Sequence, residues 1–197
     1  MAYPTVSGPY GLIPINLIGG QVFASATRQI PIATNSSTAI YFGDVVKLNS
    51  SGTLDKDTGT NAATPIGVFL GCTYTDPVYG KTFRQYYAGT TNITDIVAYV
   101  QDDPDALFKV AVVSTGTNVS YVTRANVGEN AVLVQTAGST ITGDSKVAIS
   151  STTGTTSTWP IRIIDVIAET QSSAGSYTEV VVKWNQGMHP YLNPTGV

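Results

Sequence analysis

Charge is scarce in this chain. Only 12% of its 197 residues are Asp, Glu, Lys or Arg, and the formal net charge is -3. A nucleic-acid binder needs a basic face, and this balance is too weak and of the wrong sign to make one. Cysteine is nearly absent: Cys72 stands alone. That excludes an internal disulfide framework, and its place beside an apolar strand marks it as a small buried hydrophobe. Histidine is nearly absent too. His189, between Met188 and Pro190, is the sole histidine, far in sequence from Cys72. Ser–His, Cys–His and zinc chemistry therefore lack their usual components. No apolar run approaches the ~18 residues that span a bilayer. No basic and apolar leader opens the chain, so synthesis in a cytoplasm is expected.

Other reactive patterns are incomplete. There is no Gly-x-Ser-x-Gly elbow. Gly80-Lys81-Thr82 matches the end of a phosphate loop, but Thr75 stands where its first glycine belongs. Asp55 and Asp57, and Asp102, Asp103 and Asp105, lie where turns form, and turn-forming Asp is their ordinary role. Asp165 and Glu179 fall on strands, as carboxylates do in many chains. The reading is of a protein that is not an enzyme and uses no cofactor or metal.

What the chain does have is two-residue alternation, the signature of half-buried strands. In Tyr177–Asn185, Thr178, Val180, Val182 and Trp184 share one face. In Ile161–Glu169, Ile161, Ile163, Asp165 and Ile167 oppose Arg162, Ile164, Val166 and Ala168. The second set is largely apolar as well, which predicts a central strand. ITDIVAYVQ and LFKVAVVST flank the turn Asp102–Asp105. A short helical turn fits near 124–134. The fold class is all-β, an antiparallel barrel or sandwich, with little helix.

The organisation expected is an extended arm over 1–30, a β lobe with a long polar loop over 31–115, a second β lobe over 116–185 and a tail over 186–197. The arm carries Pro4, Pro9 and Pro14, which forbid a regular helix or a central strand. Yet Tyr3, Tyr10, Leu12, Ile13 and Ile15 are too apolar to remain in water. The tail repeats the combination, with Pro190, Pro194 and Tyr191. Both ends are expected to rest on something, either the chain's own domain or a neighbour. A further cluster, Tyr74, Tyr79, Phe83, Arg84, Tyr86 and Tyr87, has the composition of protein interfaces. A weak internal echo links Gly43-Asp44 with Gly143-Asp144, each launching a strand.

GDVVKLNSSGTL followed by TPIGVFLGC resembles a pattern in the capsid decoration, or cement, proteins of tailed phages. The stretches GCTYTDPVYGKTFRQYY, AYVQDDPDALFKVAV and NVGENAVL…TGDSKVAISS are similar to structural proteins of marine and cyanobacterial phages. The likeness covers most of residues 40–170. It implies a virion protein on the outer capsid surface that bridges shell subunits. Its partners would be the major capsid protein and copies of itself, with a trimer favoured. The arm would then add a strand to a neighbour's sheet, and deleting residues 1–20 would leave a folded domain that no longer binds shells. Two other readings compete: another virion part, such as a tail tube, adaptor or fibre-associated protein, and a carbohydrate-binding β-module.

Overall fold

The structure, a computed structural model, describes residues 6–90 and 92–195. Fifteen strands run along the described chain. The first seven are β1 (Ile13–Leu17), β2 (Arg28–Pro31), β3 (Val45–Leu48), β4 (Leu54–Lys56), β5 (Gly67–Asp76), β6 (Gly80–Arg84) and β7 (Val97–Gln101). Then come β8 (Ala106–Thr115), β9 (Asn118–Val119), β10 (Asn130–Val134), β11 (Ala148–Gly154) and β12 (Ile161–Val166). The last are β13 (Gln171–Ser173), β14 (Ser176–Tyr177) and β15 (Glu179–Trp184). Helix is confined to two single 3-10 turns, one at Arg124–Asn126 as the sequence predicts. The all-β expectation holds.

One sheet closes on itself. Its order is β8-β11-β10-β12-β15, and β15 pairs back onto β8. The result is a five-stranded barrel with β8 as its hub. Closure leaves few open edges, which protects a β protein from unwanted pairing. Alternation fills the barrel: Phe108, Val110, Val112, Ile149, Ile161, Ile163, Val180, Val182 and Trp184 are all buried. The predicted face of β15 is borne out residue by residue. On β12 it is not. A bulge between Ile163 and Asp165 shifts the register, so Val166 turns inward and Asp165 outward. β12 is central, as expected, with β10 and β15 on its two edges.

The second sheet has the order β2-β7-β5-β3-β4, with β6 attached to β5. A parallel bridge between Ile32, just after β2, and Leu54 of β4 draws its two ends together, so this sheet also curls into a barrel, the second of the molecule. Ile30, Ile40, Val46, Ile66, Phe69, Cys72, Tyr87 and Val100 fill this second core.

The two cores share strands. Val45 and Val68 belong to the first core, while their neighbours Val46 and Phe69 belong to the second. A strand with both faces buried is apolar at successive positions, as the adjacent pair Val45-Val46 is. Two adjacent valines thus serve two cores, so few apolar residues suffice among many turn residues.

The expected boundaries need correction accordingly. β8, assigned by the sequence to the lobe 31–115, is the hub of the other barrel. The arm 1–30 is not a separate arm over its described part. β1 pairs with β8, and Leu12, fully buried, is part of the first core. Pro14 is accommodated because β1 is an edge strand with a bulge between Pro14 and Asn16. Deleting residues 1–20 would remove a strand and a core residue, so the expectation of an intact domain falls.

A buried polar knot joins the barrels at the Gly-Asp echo. Phe42 and Asp144 form a parallel bridge, and the Leu12 N–H donates to the Gly43 carbonyl at 2.9 Å. Gly11 and Gly43 both have positive φ, 87° and 85°. A Cβ on Gly11 would lie 2.7 Å from the Gly43 oxygen, so only glycine fits this crossing. Beneath it Asp44, fully buried, accepts from Lys56 Nζ at 2.8 Å, the Tyr41 N–H at 2.9 Å and Ser145 Oγ at 2.6 Å.

Candidate partner-binding surface

Of the twelve residues expected to meet a partner, several serve the chain's own fold instead. Leu12, Tyr74 and Tyr87 are buried. The Tyr87 hydroxyl lies 2.7 Å from the carbonyl oxygens of both Ser36 and Thr90, and its ring meets Tyr74 edge-on at 6.2 Å. Side chains packed inside the chain's own cores have no surface to offer a partner, so the partner role is withdrawn for these three. Tyr10 donates its hydroxyl to Glu179, under Lys109, whose Nζ lies 5.3 Å from the ring centre. Burial, with the Glu179 hydrogen bond and charge, holds this phenol well above its usual pKa. Tyr10 thus clasps the arm to the first barrel. Ile13 and Ile15 are half-buried in β1. Tyr3 lies outside the described residues.

The C-terminal tail is clasped in the same manner. It leaves β15 of the first barrel and crosses to the second. His189 is fully buried, with Nε2 2.8 Å from the Ile66 carbonyl and Nδ1 accepting the Tyr191 N–H at 3.3 Å. Burial holds its pKa below the usual histidine value, against the opposing pull of the Ile66 carbonyl, Asp102 and Asp103. Tyr191 is half-exposed and donates its hydroxyl to Asp102 at 2.7 Å, beside Arg28.

The predicted aromatic cluster divides by environment. Tyr86 is half-buried and stacks on Tyr41, ring centres 5.7 Å apart. Phe83, on the outer face of the β5–β6 hairpin, covers Gly71, where a Cβ would lie 2.8 Å from the ring. It also meets Tyr99 at 5.8 Å. An aromatic ring laid across a strand glycine replaces the contact that glycine cannot make. Arg84 is exposed at the end of β6. At the hairpin tip Val78 and Tyr79 are 80% and 76% exposed. Asp76 fixes that tip by accepting the N–H groups of Val78 at 2.8 Å and Tyr79 at 3.1 Å. Those bonds, the largest cause, hold the Asp76 carboxyl below the usual carboxylate range.

Other exposed apolar residues stand outside the twelve partner-binding candidates. Ile141 is 95% exposed on the turn Ser139–Gly143, closed by Gly143 N–H to Ser139 O at 2.8 Å. Its only sequence signal is an isoleucine alone in a Ser-Thr-x-Thr-Gly run. Ile18 and Leu192, from opposite ends of the chain, line one cleft of about 340 Å³ on the outer face of β12 and β15, with Ile164, Arg162 and Lys183. Nothing in linear sequence brings those two ends together.

The remaining candidates for chemistry are engaged structurally. Asp57, buried, accepts the N–H groups of Gly59 and Thr64, each at 2.8 Å, and Asp103 accepts that of Asp105. Asp165 pairs with Arg124, and Glu179 with Tyr10 and Lys109. Burial pushes the Cys72 thiol up to about 12, which makes it unreactive at neutral pH. Among the described residues no group of three or more His, Cys, Asp or Glu is placed to hold a metal ion. Nor is any helix there long and apolar enough to cross a membrane. Comparison with family models, with curated proteins and with solved structures finds no match.

Proposed function

We propose that the chain is a virion structural protein, a decoration protein that binds the outer face of a capsid where shell subunits meet. The observation that carries this reading is the display of apolar side chains on fixed turns, with Ile141 foremost. Its turn is closed by a backbone bond, and the Ile141 and Thr142 N–H groups face Ser139 Oγ at 3.3 and 3.4 Å. A turn whose backbone is already fixed loses little backbone entropy on binding, so burial of the side chain it carries contributes more directly to affinity. The resemblance of GDVVKLNSSGTL and TPIGVFLGC to phage decoration proteins supplies the class of partner.

The means of binding differs from the one first expected. β1 lies on β8 of its own chain, so the arm's strand is already paired. Turn tips, not terminal arms, are the surface offered to the shell. Co-sedimentation of purified protein with undecorated shells tests this. Wild-type protein is expected to pellet with shells, and Ile141→Ser to bind at least about tenfold more weakly, the loss of one anchoring side chain. Wild-type protein that stays in the supernatant would overturn the reading.

A further inference from the structure

Past Asn185 the tail has few ties. Asn185 itself is anchored, its Nδ2 donating to the Ser157 and Trp159 carbonyls, each at 2.9 Å, and its N–H to the Pro160 carbonyl at 2.8 Å. Among the described residues beyond it, His189 alone is buried. The hydrogen bonds from those residues to the rest of the chain are that of His189 to Ile66 and those of Tyr191 with Asp102 and Arg28. The bonds at His189 assign its proton. The Ile66 carbonyl can only accept, so Nε2, 2.8 Å away, carries the hydrogen. The Tyr191 N–H can only donate, so Nδ1, at 3.3 Å, is bare. A second proton has one place to go, Nδ1, where it meets that N–H donor to donor. The ring then also carries a charge in a buried site. Charged groups face this region from two elements. Asp102 and Asp103, in the turn after β7, favour the added proton, and Arg28 of β2 is turned to Tyr191 and Asp102. Burial outweighs the two carboxylates, so the ring is harder to protonate in the docked tail than in a free one.

We propose that His189 is an acid-sensitive latch: a proton on Nδ1 releases residues 187–195 from the second barrel while both barrels stay folded. Gly187, at φ 78° and with nothing within 4 Å of where a Cβ would stand, supplies the hinge directly after the anchored Asn185. Because the docked ring resists the proton, the tail is held above about pH 6.5, the free histidine value, and let go as pH falls below it. Release frees an apolar segment, Met188, Tyr191 and Leu192, and takes Leu192 out of the cleft wall it shares with Ile18. The inference concerns the purified chain alone and stands apart from shell binding.

Two measurements on the full, tag-free chain test it. His189 is the sole histidine, so nitrogen-15 NMR reads its ring without ambiguity. The Nε2–H form is expected at neutral pH, and the Nδ1–H form would overturn the assignment. Amide hydrogen exchange, corrected for its intrinsic pH dependence, then compares residues 186–195 with β15. The release equilibrium of the tail is expected to rise about tenfold per pH unit below about 6.5, until the docked ring itself titrates, with β15 still protected. A tail whose protection does not change between about pH 7.5 and 5 would overturn the proposal, and so would a β15 that loses protection in step with it. In His189→Gln the tail should show no pH response, whether docked or free; a response that persists there places the titration elsewhere. Tyr191→Phe loses the Asp102 bond but keeps the backbone N–H at Nδ1. It should loosen the tail at every pH and keep the same slope, whereas a flat profile would move the switch from His189 to the Tyr191–Asp102 pair.

Discussion

Replacing Asp44 by Asn should unfasten both barrels at once. Asp44 is fully buried, and its partner Lys56 keeps only 11% of its side chain exposed. One carboxylate oxygen holds Lys56 Nζ and the Tyr41 N–H, and the other holds Ser145 Oγ. Tyr41 and Lys56 belong to the segments that build the second barrel, whereas Ser145 leads into β11 of the first. The amide of Asn leaves an ammonium ion with no counter-charge in a nearly dry site. Breaking a buried pair from one side costs about 3–5 kcal/mol, because the surviving charge stays desolvated. At roughly 2–4 °C per kcal/mol for a chain of this size, Tm should fall by roughly 6–20 °C. Scanning calorimetry gives the shift, and urea unfolding gives the free energy. The double variant Asp44→Asn with Lys56→Met removes the stranded charge and should recover most of the loss, since apolar replacement of a whole pair is close to neutral. An Asp44→Asn protein within about 1 kcal/mol of wild type, or a double variant no better than the single, would refute the reasoning.

Two further outcomes follow from the clasped ends. His189 is held neutral by burial, so its folded-state pKa is depressed. The unfolded chain then takes up the proton first as pH falls. The stability in question is present above about 6.5, the unfolded histidine value, and is lost as pH drops toward the folded value. The urea midpoint of wild type should decline between about pH 7.5 and pH 5, and that of His189→Gln should stay flat; equal declines would remove the histidine from the explanation. The carboxylates with depressed pKa, Asp76, Asp95 and Glu129, act at lower pH and leave this window clear. At the other end, Leu12→Ala should destabilise by about 2–5 kcal/mol in urea unfolding, as a buried leucine does; a cost under about 1 kcal/mol would return the arm to the status of a separate segment.

Strand positions were legible because side-chain period is a local property. Val45–Leu48 and the inward face of β15 appear in the structure as the sequence implies. Departures arise where a local rule meets a distant neighbour. The β12 bulge swaps Val166 for Asp165 on the core face, and a one-residue offset of this kind leaves no trace in composition. The lobe boundary failed because β8, next to β7 in sequence, turns away from it at Asp102–Asp105 and joins strands from the far half of the chain. The aromatic cluster was visible as a cluster, but its division was not. Tyr86 and Tyr87 are neighbours on opposite faces of one strand-like segment, so one stacks near the surface while the other is buried. Exposed Ile141 stood outside the pattern because one isoleucine in a polar turn carries little periodic signal.

The apolar arm raised the question of where its greasy residues come to rest, and the answer bears on the proposed role. Leu12 and Tyr10 rest on the first barrel, while His189 and Tyr191 carry the tail onto the second. Between them, β3 and β5 bury side chains in both cores, and Asp44 joins the two by charge and hydrogen bonds. Relative motion of the barrels would have to break a shared apolar layer, an ion pair and the tail contacts together. Close-packed interiors transmit displacement and do not absorb it. A body with this construction resists displacement of one barrel against the other. A bridging protein needs that property: if two seats on a shell are to be held together, the element between them must resist strain. Flexible apolar arms would bind the same seats but would yield under load. The arms therefore serve the proposed function better as internal ties than as free connectors.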